Sequence, residues 1–482
     1  MFRNKGRAGA IRAGKETHAM KKEHCGLIGI HGHKEAARMA YFGLYAQQHR
    51  GQESAGISTW DGWKLREQRG MGLVPDVFRE RHLSRELKGE IAMGHIRYST
   101  TGASLLRNAQ PFLINFRGRH MAVGHNGNLV NSAELRDSLE ADGSLFQTSM
   151  DSEIFLHLIA KHLDHGPVEE AIIKACGEVR GAYSLLFQEN NKLIAVRDPH
   201  GFRPLVLGRV GETYVFASET CALDLLDAEY LREVEPGEMV VVENGEVSSH
   251  RIMSGEPPKR ASCIFELIYF ARPDSTVFGE NVYQRRKNMG AQLAKEAPVD
   301  ADFCMPFPDS GVYAAVGHAQ ASGLPYENAM IRNHYVGRTF IQPSQDMRDF
   351  GVRIKLNPVK EMIRGQRIVI VEDSIVRGTT IQTRIKNLRE LGAKELHLRV
   401  SCPPIRHPCY YGIDFSSKGE LIAANHSVED IAEFIDLDSL HYLSVDGLLE
   451  AMGGSTEYCL ACFEGNYPTQ INANCRKACL EG

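Results

Sequence analysis

Short apolar runs broken by turn residues dominate the first half of the chain. "CGLIGI", "EIAMGHIRYS", "HMAVGHNG", "AYSLLF", "KLIAVRD", "TYVFAS" and "GEMVVVENG" each read as a short strand. Two longer stretches, "AARMAYFGLYAQQHRG" and "DSEIFLHLIAKHL", space their apolar residues near the helical period. Strands in excess with a few helices between them predict an α+β layered domain.

The Gly- and Pro-containing basic stretch "SGEPPKRAS" marks a boundary near residue 258. Beyond it the pattern changes. "RIVIVED" is a near-continuous apolar run, "TTIQTRIKNLRELGA" a helix closed by Gly392, and "KELHLRVSC" the next strand. This is a βαβ unit, so the second half is expected to hold a parallel sheet covered by helices. No internal repeat or low-complexity segment interrupts either half.

The chain has 482 residues, enough for two or three domains. With 43% hydrophobic and 24% charged residues it has an ordinary globular composition, and a net charge of -4 gives no support to nucleic-acid binding. No apolar run is long enough to span a membrane. Residues 1–24 are basic and lack an apolar core of the secretory kind, which predicts a cytoplasmic protein. An organellar transit peptide is the competing reading, against which the leader lacks Ser enrichment. "GAIRAGKE" nearly matches a phosphate loop, but Glu16 stands where a hydroxyl is needed and no strand precedes it.

Eleven cysteines without a secretion signal point to thiols, a nucleophile or metal ligands. Cys25, just before "GLIGIHG", is either a packed strand thiol or a nucleophile. No motif supplies a partner histidine. Cleavage after His24 would make the α-amino group of Cys25 its own base, with a pKa of about 7.7–8.0.

Taken singly, "HRGQESAGIS", "GHIRYSTTG" and "HNGNLVN" are compatible with turn chemistry. With Cys25 and "TSMDSE", in this order and spacing, they resemble the glutaminase domain of the amino-terminal-nucleophile amidotransferases. That resemblance implies an αββα sandwich over residues 25–257 behind a propeptide, 1–24. It also implies that Cys25 attacks the side-chain amide of glutamine, forms a thioester and releases ammonia. Asn126 and the N–H of Gly127 would form the oxyanion hole. Arg97 would hold the substrate α-carboxylate and Asp151 its α-ammonium. Arg50 and Thr100 join this glutamine-binding set and would order the nucleophile and the substrate-closing loop.

"IVIVEDSIVRGTT" runs from a buried strand through two carboxylates into a helix. A capped βα turn and a phosphate cradle both fit such a loop. The whole stretch resembles the signature of type I phosphoribosyltransferases, which bind phosphoribosyl pyrophosphate (PRPP). Asp373, Ser374, Arg377, Gly378, Thr379 and Thr380 would then bind PRPP. Glu372, Asp373 and Ser310 of "MPFPDSG" would face magnesium. Glu372 departs from the Asp common in that family. Arg338 and Lys355, in the loop between the motifs, would reach the pyrophosphate on closure and so exclude water.

Cys459 and Cys462 form a C-x-x-C pair, compatible with redox chemistry, zinc or an iron-sulfur cluster. Resemblance to the cluster-bearing branch of the glutamine PRPP amidotransferases adds Cys263 and Cys409 and implies a [4Fe-4S] cluster, with zinc as the alternative. Cys402 competes with Cys409.

The two halves together imply an α+β amino-terminal-nucleophile sandwich followed by an α/β phosphoribosyltransferase domain, 258–482, with a cluster-binding tail. The expected reaction uses ammonia, carried internally from glutamine, to displace pyrophosphate from PRPP, giving 5-phosphoribosylamine at the entry to purine synthesis. Purine nucleotide inhibitors and a homo-oligomer, dimer or tetramer, are further expectations. The rivals are an amidotransferase with another sugar-phosphate acceptor and a PRPP-sensing regulator without catalysis. The first lacks a reason for the phosphate signature and the second for the glutaminase set.

Overall fold

Gly26–His31 is buried at every position because it runs through the middle of a seven-stranded sheet. Its antiparallel neighbours are Ile91–Arg97 on one side and Thr213–Ala217 on the other. The computed structural model describes residues 25–98, 104–163, 165–333, 356–414 and 417–471; the leader, Thr100, Arg338 and Lys355 lie outside them.

A second, six-stranded antiparallel sheet lies over the first, with Arg119–Leu129 and Gly181–Glu189 paired near its centre. Leu27 and Met93 from the first sheet meet Ala122, Leu186 and Ala195 from the second in one apolar layer. The outer face of the first sheet is covered by the helix Ala36–Ala46, and that of the second by Ser152–His162 and Val168–Glu178. This is the αββα order expected from the resemblance. Apolar residues on both faces of each sheet explain why its strands read as near-continuous runs.

The other compact unit holds a four-stranded parallel sheet, in the order Phe303–Pro306, Arg367–Glu372, Glu395–Val400 and Ser439–Tyr442. Helices Val312–Ser322 and Thr379–Glu390 follow the first two strands. Positive φ at Gly392 ends the second helix, as the sequence predicts.

The division between the units departs from the expected one. It falls after Arg285, not at residue 258, and the segments containing Cys409 and Cys459 return to the amino-terminal unit. Backbone pairing explains the difference: Ser262–Cys263 lies parallel to Tyr458–Cys459, and the Ser262 N–H donates to the Glu457 carbonyl. The carboxyl-terminal cysteine segment therefore belongs to the sandwich and not to the parallel-sheet unit.

Candidate active site

Cys25 is only 7% exposed, with Sγ 3.9 Å from the Tyr98 carbonyl oxygen. Burial pushes its thiol pKa up, and the nearby Arg97 guanidinium pulls against that rise. A thiol held this way needs a base at close range before it can act as a nucleophile.

Arg50 contacts the nucleophile's own backbone. Its Nε donates to the Cys25 carbonyl at 3.1 Å, and its two terminal nitrogens bond both oxygens of Glu266 at 2.9 Å each. Glu219 takes a further bond from the same guanidinium. With its fork closed by two carboxylates and a carbonyl, Arg50 orders Cys25. These partners are all groups of the protein itself.

Arg97 is also fully buried. Nη1 lies 2.5 Å from Glu53 Oε1 and Nη2 lies 3.3 Å from Met150 Sδ. Met150 precedes Asp151, so the expected α-carboxylate and α-ammonium partners are brought within one residue of each other. Asp151 accepts from the Leu129 N–H at 2.9 Å and stands 3.4 Å from His125 Nδ1. Burial pushes the Asp151 carboxyl up, but His125 and the Leu129 N–H outweigh it and hold it below the usual carboxylate value. It is therefore a carboxylate at neutral pH.

Asn126 lies inside the strand Arg119–Leu129 and not in a turn, since the ladder to Gly181–Glu189 continues through it. It is completely buried, and among the described residues neither its side-chain oxygen nor its nitrogen has a hydrogen-bond partner. Such an amide is costly in a resting structure and suited to a charge that forms only during reaction. One residue earlier, His95 Nε2 donates to the His125 carbonyl at 3.1 Å and ties the two sheets together. Burial depresses the His95 pKa to about 3, so the ring is neutral. At Gly127 a Cβ would come within 2.0 Å of the Ala182 carbonyl oxygen; only glycine lets the strands close there.

In the parallel-sheet unit the two expected loops leave adjacent strands at their carboxyl ends, the usual ligand edge of such sheets. Asp373 and Ser374 are buried and bonded to each other. Gly378, in the left-handed region, starts the helix Thr379–Glu390, so Thr379 and Thr380 occupy its first turn at the positive end of the dipole. Arg377 Nη2 lies 3.1 Å from Glu420. Gly311 lets the "MPFPDSG" loop approach its neighbour, because a Cβ there would sit 2.2 Å from the Val371 carbonyl. Ser310 lies on this loop, half-buried. Glu372 is drawn toward the helix, 3.6 Å from Arg384 Nη1, whose guanidinium lies 5.0 Å from the Phe307 ring centre.

Cys263, Cys409, Cys459 and Cys462 line one cavity, together with Phe202, Phe265 and Tyr411. The Tyr411 N–H donates to Cys409 Sγ at 3.4 Å. Burial raises the Cys263 thiol pKa to about 11, with Arg203 pulling against it. Among the described residues no three His, Cys or carboxylate side chains stand at metal-ligating separations. The donor set is all thiol and its walls are apolar. That chemistry fits a thiolate-bound cluster or zinc. Cys402 bonds to the Pro403 carbonyl and does not line the cavity.

Reading by motif missed Arg203, Glu219 and Glu266, all buried and all in the network around Cys25. Glu266 had a detectable signal: a single carboxylate within "CIFELIYF", where burial demands a partner.

Comparison with known proteins agrees with this geometry. Residues 95–225 match the model of a glutamine amidotransferase domain. The chain is 53% identical over 452 residues to amidophosphoribosyltransferase 1, chloroplastic, of Arabidopsis thaliana, covering 93% of this chain and 79% of that protein. It is 49% identical to amidophosphoribosyltransferase of Bacillus subtilis, covering 93% and 95% of the two chains. The solved glutamine PRPP amidotransferase from B. subtilis, complexed with ADP and GMP, superposes with a TM-score of 0.88 at 48% identity, covering 93% of this chain and 98% of that one.

Proposed function

The chain belongs to the amidophosphoribosyltransferase family, enzymes of the first step of purine biosynthesis, and from that premise we propose how its own residues divide the reaction. Glutamine supplies the nitrogen, PRPP accepts it, and pyrophosphate and glutamate leave with 5-phosphoribosylamine formed.

Cys25 attacks the glutamine amide after the leader is removed, its free α-amino group taking the thiol proton. Arg97 and Asp151 hold the two ends of the amino acid, and Thr100 closes over it. The oxyanion that forms on attack is received by the Asn126 amide and the Gly127 N–H. The buried, unbonded amide of Asn126 is the observation that carries this reading. Arg50 keeps the Cys25 peptide plane fixed while the sulfur changes partners.

PRPP sits at the carboxyl edge of the parallel sheet. Thr379, Thr380, Gly378 and Ser374 cradle its 5-phosphate at the helix start, and Asp373 faces the ribose. Magnesium would be held through pyrophosphate by Ser310 and Asp373, with Glu372 withdrawn toward Arg384, and would neutralise the leaving group's charge. Arg377, Arg338 and Lys355 supply further positive charge to the pyrophosphate.

The four-thiol cavity is assigned to a [4Fe-4S] cluster, zinc being the alternative. Neither half-reaction moves electrons, so the group's service would be structural or oxygen-sensing and not catalytic. The neighbouring Arg203 and the Tyr411 N–H would offset thiolate charge. Absorption near roughly 400 nm in protein purified without oxygen, together with iron content, separates the two metals. Nucleotides are bound by the solved B. subtilis enzyme, and purine nucleotide inhibition and a homo-oligomer are proposed here on family grounds; a cytoplasmic location is proposed from the basic leader, which lacks Ser enrichment. Among the described residues no helix is long and apolar enough to cross a membrane.

Cys25→Ala tests the division directly. Glutamine-dependent synthesis should vanish while ammonia-dependent synthesis persists; equal loss of both would overturn it. Mass spectrometry of the active protein should find Cys25 at the amino terminus, and an active chain still carrying the leader would defeat the α-amine as base.

A further inference from the structure

A row of buried charges runs inward from the wall of the thiol cavity to the nucleophile. Arg203 donates to the Tyr411 carbonyl through Nη2 at 2.6 Å and Nε at 3.2 Å, and through Nη1 to Glu266 at 3.2 Å. Glu266 takes the two-point bond from Arg50, and Arg50 donates to the Cys25 carbonyl. The side chains of Arg203, Glu266 and Arg50 are all 0% exposed. A buried charge set of this kind is weak as a source of stability, because desolvation offsets most of the attraction. Its geometry, however, is specific: both oxygens of Glu266 are needed to set the plane of the Arg50 guanidinium, and that plane aims Nε at Cys25.

The same peptide segment touches the oxyanion strand. Asn128 Nδ2 donates to the Tyr410 carbonyl at 3.0 Å, and a Cβ on Gly412 would lie 3.3 Å from the Gly127 backbone. Residues 410–412 thus hold the oxyanion strand through Asn128 and the nucleophile through Arg203.

We propose that Glu266 and Arg203 are positioning residues of the glutaminase half-reaction, keeping the Cys25 peptide and the Asn126–Gly127 strand in register with each other. The proposal rests on the reading of Cys25 as nucleophile. Glu219 gives Arg50 a second carboxylate, itself anchored by Ser275 Oγ at 2.8 Å and the Arg272 N–H at 2.9 Å, so loss of the Glu266 charge leaves the Arg50 cation paired. Removing Glu266 therefore changes where Arg50 points more than whether it stays buried.

The test is Glu266→Gln in the full-length protein. Glutamine-dependent kcat should fall at least roughly 10-fold with KM for glutamine within about twofold, since a small misplacement of reacting groups costs rate more than binding. Alkylation of Cys25 by iodoacetamide should slow in parallel, and ammonia-dependent synthesis should hold. Glu266→Asp, which restores the charge, should recover part of the rate. An unchanged glutamine-dependent kcat overturns the proposal, as does a parallel fall in ammonia-dependent synthesis. Should Glu266→Gln fail to fold, Arg203→Met cuts the outer link and is read in the same way. Cys25→Ala run alongside separates the two levels: retained glutamine-dependent synthesis in that variant removes the nucleophile reading, whereas its loss with a normal Glu266→Gln rate removes only the positioning role.

Discussion

Asn126 holds a buried amide with no hydrogen-bond partner among the described residues, and its substitution should be felt in rate before stability. Asn126→Ala is expected to lower glutamine-dependent kcat by about 10²–10³, the effect of losing one oxyanion donor. KM for glutamine, ammonia-dependent synthesis and thermal stability should be near those of the parent. Asp151 gives a pH signature. Its carboxyl lies below the unfolded value of about 3.9, so its contribution is full above that pH and is lost as pH falls through the lower folded-state value. Unfolding curves of the parent and Asp151→Asn should differ most at neutral pH and converge in acid. A gap that widens on acidification would contradict the assignment. Asn126, Arg97 and Asp151 stand out as candidates in the sequence because each lies in a compact motif. Arg203 and Glu266 were not singled out, because their partners lie up to 216 residues away and a pairing across such a distance leaves no local pattern.

Among the elements, strands with strong apolar runs were readable and those built of small residues were not. Ser54–Trp60, within a stretch compatible with turn chemistry, is a buried strand paired on both sides. Its alternation is absent because both faces are covered. The helix Val168–Glu178 went unread, and of the two readings open for Asn126–Gly127, strand and turn, the structure shows strand. Glycine at a contact between elements is equally hard to see in sequence. In the parallel-sheet unit, a Cβ on Gly290 would sit 1.8 Å from the Ala314 carbonyl, and one on Gly317 would sit 1.9 Å from that of Lys287. The helices Val282–Glu296 and Val312–Ser322 thus touch backbone to backbone. Gly290→Ala should force them apart at a cost of about 1–3 kcal/mol or more. A lowered melting temperature and a loss of PRPP-dependent synthesis exceeding any loss of basal glutaminase would be the measured result.

For the whole molecule, the expected two-domain order holds while the expected boundary does not. "SGEPPKRAS" is a loop, but residues 258–285 and the returning cysteine segments belong with the sandwich. Loop composition reports where a chain bends, not which core it joins. The proposed chemistry divides along the compact units. Asp373→Asn should abolish synthesis from both ammonia and glutamine while sparing basal glutaminase, the reverse of Cys25→Ala. Glutamate and pyrophosphate release assayed separately would show it, and equal loss of both activities would argue against separable sites.

The long reach from Arg203 to the Tyr411 carbonyl also bears on biosynthesis. At about 5–20 residues per second, a ribosome takes roughly 10–40 s to travel from one to the other. During that interval the nascent sandwich holds a buried-type arginine without this acceptor, and the strand Ser262–Cys263 waits almost as long for Tyr458–Cys459. The amino-terminal unit is thus translated first and completed last, the wall of the thiol cavity staying open until the chain is nearly finished.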